Sequence, residues 1–215
     1  MPRKKTGNSV LDEAISRVSC IYEEGHRIVV SFSTGKDSTV LLEICIMAAQ
    51  ITGNLPVDVV LRDEELMFPG TYEFAERVAQ RPEVRMTWLV AHQPIINVYD
   101  RNNPYFWVMD NELDSSQWMR EPPSWATHIK EQHIEAMTTP DRFPLQTDQK
   151  LYAAIGLRTD ESRHRLYGLF TSGGYITKPN RYKVANIRPI YDWTSKDVWK
   201  LIKEFNLDYN RAYDV

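Results

Sequence analysis

The sequence predicts an α/β fold built on a doubly wound, mostly parallel sheet with helices on both faces. Between Arg27 and Ala91 the apolar pattern runs strand, helix, strand, helix, strand, and parallel strands need helical crossovers of that kind. The second strand, Pro56 to Asp63, is a nearly unbroken apolar run, as expected where both faces are covered. At 215 residues the chain is long enough to bury one sizeable core, so a single domain over residues 1–215 is expected.

Val10, Leu11, Ala14, Ile15, Val18, Ile21 and Tyr22 recur at helical spacing, which predicts an amphipathic first helix ending near Gly25. Ahead of it Met1-Pro2-Arg3-Lys4-Lys5 is locally basic, and residues 1–9 read as a disordered tail. Arg27 to Phe32 is β-branched and short, Ser33 to Ser38 is a small polar turn, and Val40 to Ile51 reads as a largely buried helix stopped by Gly53. After the second strand comes a loop from Glu64 to Pro69, then a helix over Tyr72 to Gln80 with Thr71 as its expected cap. Arg85 to Ala91 completes the third strand.

From His92 to Leu145 the pattern weakens. Tyr99, Tyr105, Phe106, Trp107, Trp118 and Trp125 alternate with Pro94, Pro104, Pro122, Pro123, Pro140 and Pro144, and only Ala126 to Met137 keeps helical spacing. This aromatic-rich insertion, 92–145, reads either as a lid that binds an acceptor over the site or as a second small core. Gln149 to Arg158 resumes as a strand and runs into the polar cluster Arg158-Thr159-Asp160-Glu161-Ser162-Arg163-His164-Arg165. There Thr159 or Asp160 is the expected helix cap, Glu161 and Arg165 pair at i,i+4, and Arg158 stays at the strand's end. Ser172-Gly173-Gly174-Tyr175 reads as a hairpin-like turn, Val184 to Ile190 as extended chain, and Thr194 caps a helix over Ser195 to Phe205 with Asp197 three residues on.

Bulk properties exclude several classes. A formal net charge of −3 gives no strong field for polyanions. The two cysteines, Cys20 and Cys45, lie in apolar helical patterns and form neither a metal-spaced cluster nor a disulfide framework. His26, His92, His128, His133 and His164 lack metal-ligand spacing. No run approaches the roughly 18 apolar residues of a membrane span, and the N-terminus has no signal-peptide core. A reducing cytoplasm is the expected compartment.

The turn after the first strand carries the chemistry. Backbone N–H groups at a helix start lack intrahelical partners and the helix dipole favours negative charge, so strand, loop and helix in this order suit a phosphate. Lys36 adds a positive charge, and Ser33 and Ser38 add hydroxyls. It is not a Walker A loop, because Val30 stands where the first Gly belongs and Asp37 follows Lys36 in place of Ser or Thr. Ser33-Thr34-Gly35-Lys36-Asp37-Ser38 resembles the PP-loop of ATP pyrophosphatases. Four blocks together are similar to the phosphoadenosine phosphosulfate reductase superfamily. They are that loop, Asp63 with Phe68-Pro69, Gly156 to Arg165, and Arg188-Pro189-Ile190-Tyr191-Asp192-Trp193-Thr194-Ser195-Lys196-Asp197-Val198-Trp199.

The resemblance implies an adenine nucleotide alpha-hydrolase-like fold and a set of nucleotide-contacting residues: Ser31, Ser33, Thr34, Gly35, Lys36, Asp37, Ser38, Asp63, Gly156 and Glu161. Within it the terminal phosphates would lie on the loop, with Asp63 near the adenosine. Lys36, Asp37, Arg158 and Arg165 would be catalytic, and Asp37 would be the ligand of a Mg²⁺ bound with ATP. The activity implied is cleavage of ATP between its α- and β-phosphates to adenylate an acceptor in sulfur transfer or nucleic-acid modification. Sulfate, a sulfur donor or carrier protein and nucleic acid all stay open as acceptor, as does a homodimer. Two alternatives are kept: phosphoadenylyl-sulfate reductase or sulfate adenylyltransferase-like chemistry, and a non-catalytic nucleotide sensor. The reductases of the superfamily use a C-terminal cysteine, some with an iron–sulfur cluster. No cysteine follows Cys45, so no cluster is expected in this chain and a continuation past Val215 is the condition for that chemistry. Thr34 departs from the Gly of many relatives. A β-branched residue at positive φ would store about 1–2 kcal/mol of strain, so either a negative φ or a reshaped loop is expected there.

Overall fold

The computed structural model describes residues 7, 9–68, 70–109, 114–130 and 133–214. The expected basic tail therefore falls outside the described residues except for Gly7 and Ser9. Ser9 is not tail but the N-cap of the first helix, in a reciprocal capping box with Asp12.

Helix α1 (Val10–Glu23) leads into β1 (Arg27–Phe32), α2 (Lys36–Thr52), β2 (Val57–Asp63), α3 (Thr71–Ala79) and β3 (Val84–Ala91). A hairpin of β4 (Gln93–Ile96) and β5 (Tyr105–Val108) follows, then β6 (Thr127–Ile129), β7 (Leu151–Ala154), α4 (Arg163–Thr171), β8 (Val184–Ile187) and α5 (Ser195–Glu204). The main sheet has six strands in the order β6-β3-β2-β1-β7-β8, and every pairing in it is parallel. This is the α/β architecture that the alternating pattern predicts. The order reverses at β1, between β2 and β7, and in such sheets the crevice at the reversal, outside the strands' carboxyl ends, is where ligands bind.

Alternation along β1 divides its side chains between two clusters. Ile28, Val30 and Phe32 join Leu41, Cys45, Phe74, Trp88, Trp193 and Val198 under the helices. Val29 faces the other way with Val60, Leu89 and Ala153, against Met137 and Phe143. Helix α2 is buried along most of its length because it lies inside this core, and Gly53, in the left-handed conformation, ends it.

The 92–145 segment does two things at once. It adds β6 to the sheet beside β3, with Leu89 to Ala91 opposite Thr127 to Ile129, and it supplies Met137 and Phe143 to the second cluster. The helix expected over Ala126 to Met137 is absent from its described residues, which form β6 and a 3-10 turn, Ile134–Met137. A free edge on β3 offers a backbone ladder that outweighs weak local helical spacing.

Two caps also differ from expectation. Gly70, at φ 83°, precedes α3 and Thr71 is its first residue, because the Thr71 hydroxyl accepts from Asn210 Nδ2 at 2.8 Å. Ser162 caps α4, its hydroxyl accepting from Arg165 N at 3.2 Å. Thr159 cannot cap, since its N–H and its hydroxyl both donate to the Tyr191 carbonyl, at 2.9 and 2.8 Å. The segment Ser172–Tyr175 begins as the C-terminal end of α4, with Gly173 and Gly174 at positive φ, and not as a hairpin turn.

Candidate nucleotide site

The loop after β1 is tied to itself before any ligand arrives. Ser38 Oγ donates to Gly35 O at 2.9 Å and accepts from Ser33 N at 3.2 Å, and Thr39 Oγ1 donates to Gly35 O at 3.0 Å. Thr34 sits at φ 61°, so the negative φ expected as one alternative is not what the loop adopts. It takes the left-handed conformation, buried, with its hydroxyl donating to Ser33 O at 2.6 Å. The strain of about 1–2 kcal/mol is thus present in the loop.

An alternating ladder of charge crosses the start of α2. Lys36 Nζ lies 3.3 Å from Asp37 Oδ2. β7 stops at Ala154, short of the strand expected to reach Arg158, and from the turn beyond it Arg158 grips the same carboxylate, Nε to Oδ1 at 2.8 Å and Nη2 to Oδ2 at 3.3 Å. Glu161 is 3.6 Å from Arg158 Nη2 and pairs on its other side with Arg165. Arg158 is only 3% exposed, and its Nη1 is a buried donor without a hydrogen-bond partner. Asp160 lies 3.5 Å from it, near enough for charge attraction alone. Lys36, Asp37, Arg158, Glu161 and Arg165, far apart in the chain, are therefore brought together. The turn bearing Arg158 is fixed from behind. Thr159 hangs on Tyr191 O, and the adjoining Asp192 is held bidentately by Arg17 at 2.8 Å for each bond.

Beside the loop opens a mainly apolar cavity of about 540 Å³, within the range of small-molecule sites. Ser31, Ser33, Thr34 and Gly35 form one wall, Leu66, Met67 and Phe68 another, and Met137 and Ile134 of the 3-10 turn line it with Asn210, Ala212 and Tyr213.

Asp63 is not among the lining residues. It is fully buried, with its carboxylate accepting from Trp88 Nε1 at 2.8 Å, from Glu65 N at 2.9 Å and from Arg120 Nη2. Its neighbours Arg62 and Glu64 line the cavity instead, paired at 2.7 Å. Asp63 and Glu65 work as a staple for the insertion. Glu65, at φ 51°, accepts from Met109 N at 2.5 Å and from Met119 N at 2.7 Å. Glu65→Ala leaves both amides without their acceptor and is expected to cost about 2–4 kcal/mol. Hydrogen exchange at Met109 and Met119 is the check, and unchanged protection there would refute the staple.

The C-terminal segment was missed as part of the site. Tyr213 Oη accepts from Lys36 N at 3.3 Å, and the Trp199 ring meets the Tyr209 and Tyr213 rings edge to face, each with 5.6 Å between ring centroids. The available signal was the Tyr-Asn-x-x-Tyr-Asp pattern after α5, which spacing alone does not place.

Asp37, the expected Mg²⁺ ligand, is ion-paired on both sides. Both its oxygens are engaged by Arg158 and Lys36, and among the described residues no group of three or more His, Cys, Asp or Glu side chains could hold a metal ion. A Mg²⁺ carried by a nucleotide takes one or two protein carboxylates beside phosphate oxygens and water, and Asp37 would have to turn from Arg158 or Lys36 to serve as one.

A parallel sheet whose first loop and helix start meet Arg158 from the turn after β7, beside an apolar cavity, is a doubly wound α/β fold with its candidate site where the strand order reverses. The phosphoadenosine phosphosulfate reductase domain matches residues 27–215, and the chain belongs to that family. Among curated proteins it is 27% identical to adenosine 5'-phosphosulfate reductase of Staphylococcus haemolyticus, over 88% of this chain and 66% of that protein. It is 24% identical to the enzyme of the same name from Halalkalibacterium halodurans, over 88% and 70%. The chain thus spans about two thirds of the length of these relatives. Among solved structures, Candida glabrata FMN adenylyltransferase in complex with FAD and inorganic pyrophosphate superposes with a TM-score of 0.59 at 13% identity, covering 95% of this chain and 58% of that one. Phosphoadenylyl-sulfate reductase from Candida auris gives 0.52 at 14% identity, covering 95% and 89%. At those identities the two structures share the fold.

Proposed function

We propose that this chain binds ATP and cleaves it between the α- and β-phosphates, adenylating an acceptor in sulfur transfer or nucleic-acid modification. The observation that carries the reading is the ladder of Lys36, Asp37, Arg158, Glu161 and Arg165 across the start of α2, next to an apolar slot of nucleoside size. The adenosine would enter the slot and the outer phosphates would lie over Ser33 to Ser38. An acceptor oxygen or sulfur attacks the α-phosphorus, the bond from that phosphorus to the bridging oxygen breaks, and the electron pair leaves with pyrophosphate. Lys36 and Arg158 neutralise the charge that gathers on this leaving group. Asp37 positions those two cations. Mg²⁺, where it takes part, would enter with the nucleotide's phosphates.

Release of pyrophosphate from ATP, with capture of the adenylated product, is the test. Lys36→Ala is expected to slow it about 100-fold, and undiminished release would overturn the reading.

A reductase acting on a sulfated adenine nucleotide is the second reading, favoured by the names of the curated relatives. That chemistry needs a thiolate at the sulfur. Neither cysteine lines the cavity. Cys45 is fully buried in α2, where burial pushes its thiol pKa far up, and Cys20 lies on α1. The thiol would have to come from outside residues 1–215, in the same protein or a partner. Sulfite release from adenosine phosphosulfate, with a dithiol supplied, separates the two readings.

A further inference from the structure

We propose that Tyr213 is a phosphate-positioning residue: its hydroxyl, held by the Lys36 amide, presents its proton to the outer phosphates of the bound nucleotide. The inference rests on the nucleotide reading above and assigns the C-terminal segment a part in it.

Three polar groups converge above Gly35. Tyr213 Oη and Ser33 Oγ both lie 3.5 Å from the point that a side chain on Gly35 would occupy, and Lys36 N donates to Tyr213 Oη at 3.3 Å. Gly35 itself has an ordinary extended backbone, φ −70° and ψ 154°. Its small size therefore serves space, not conformation, and that space is bounded by donors. The Lys36 ammonium stands 5.6 Å from the Tyr213 ring centroid, so positive charge borders the same volume.

A phenol hydroxyl can accept and donate at once. Tyr213 accepts from Lys36 N, and its own proton has no acceptor among the described residues. The residue lines the cavity, so that proton is available to a ligand.

The hydroxyl is held in place by a built support. Trp199 of α5 packs edge-on against Tyr213 and Tyr209, Asn210 is buried and donates to Thr71 Oγ1, and its Oδ1 accepts from Ala212 N at 3.0 Å. Tyr209 Oη donates to Asp214 Oδ1 at 2.5 Å. A loosely draped tail would show no such set of contacts. A bond to a charged phosphate from a fixed donor contributes more than one from a mobile donor, because less side-chain freedom is lost on binding.

The test is calorimetric titration of the full chain with ATP and, separately, with AMP, for the wild type and for Tyr213→Phe. The phenylalanine keeps the contact with Trp199, and its unliganded melting temperature is the control for folding. Tyr213→Phe is expected to weaken ATP about tenfold and leave AMP unchanged, since AMP lacks the outer phosphates. A role in packing alone would weaken both nucleotides equally, and that result overturns the proposal. So does unchanged ATP affinity, and so does tighter ATP binding, which would mean that the hydroxyl competes with phosphate for the Lys36 amide. Failure of the wild type to bind either nucleotide would instead sink the nucleotide reading and this inference with it.

Discussion

Arg158→Ala is expected to reduce pyrophosphate release from ATP by about 1,000-fold and to lower stability by about 3 kcal/mol. Two effects add. The guanidinium is the most buried cation of the ladder, 3% exposed, with one nitrogen unsatisfied by protein, so in the proposed reaction its loss would remove a pre-oriented donor from the leaving group. It also strips the Asp37 carboxylate of its closest partner, at 2.8 Å, leaving Lys36 to balance a mostly buried anion. Arg158→Lys would keep the charge but lose the fork that holds both oxygens, and is expected to recover stability more than rate. Steady-state turnover and thermal unfolding together decide the matter. A variant that melts at a lower temperature yet turns over at the wild-type rate would leave Arg158 a structural residue only.

Gly156→Ala is expected to lower the melting temperature by about 3–10 °C and to weaken ATP at least about tenfold, although it adds a single methyl group. A Cβ there would lie 2.9 Å from Ser38 N and 3.0 Å from Asp37 C. Those are backbone atoms of the first turn of α2, and they cannot rotate away. Either the segment after β7 or the start of α2 has to move, and both carry members of the charge ladder. Gly168→Ala, inside α4 where nothing lies within 4 Å of the added carbon, is the control, and a slightly higher melting temperature is expected there. Equal melting temperatures for the two variants would show that the strand end yields without cost.

Much of the fold and half of the site could be read from residue order, for reasons that differ element by element. The βαβ unit was legible because its signals are local: β-branched Ile28-Val29-Val30, a Gly-containing turn, an apolar helix and Gly53 at its end. The capping box of Thr194 and Asp197 was legible for the same reason. Strand β6 was not, since three residues become a strand by lying against the free edge of β3, a fact of tertiary structure. Asp63 near the adenosine is an expectation from the resemblance alone, and no local pattern around it bears on its contacts. Its actual partners, Trp88 and Arg120, lie far along the chain, and no spacing rule joins them. Arg158 and Arg165 were legible as a cluster following a buried strand. The role of Tyr213 was not, because it depends on where α5 aims the chain.

The topology has a consequence for how the molecule assembles. Strand β1 meets β2 after one short crossover, but its other neighbour is β7, with Arg27 opposite Leu151 and more than a hundred residues between them. Closing that long excursion costs chain entropy which the β1-β2-β3 half does not face. The half bearing Lys36 and Asp37 is therefore expected to gain protection early in refolding, and the half bearing Arg158 later, as pulse-labelled exchange on the amides of β2 and β8 would reveal. For an interval the candidate site has its floor but not its far wall, so simultaneous protection of the two strands would exclude this order of events.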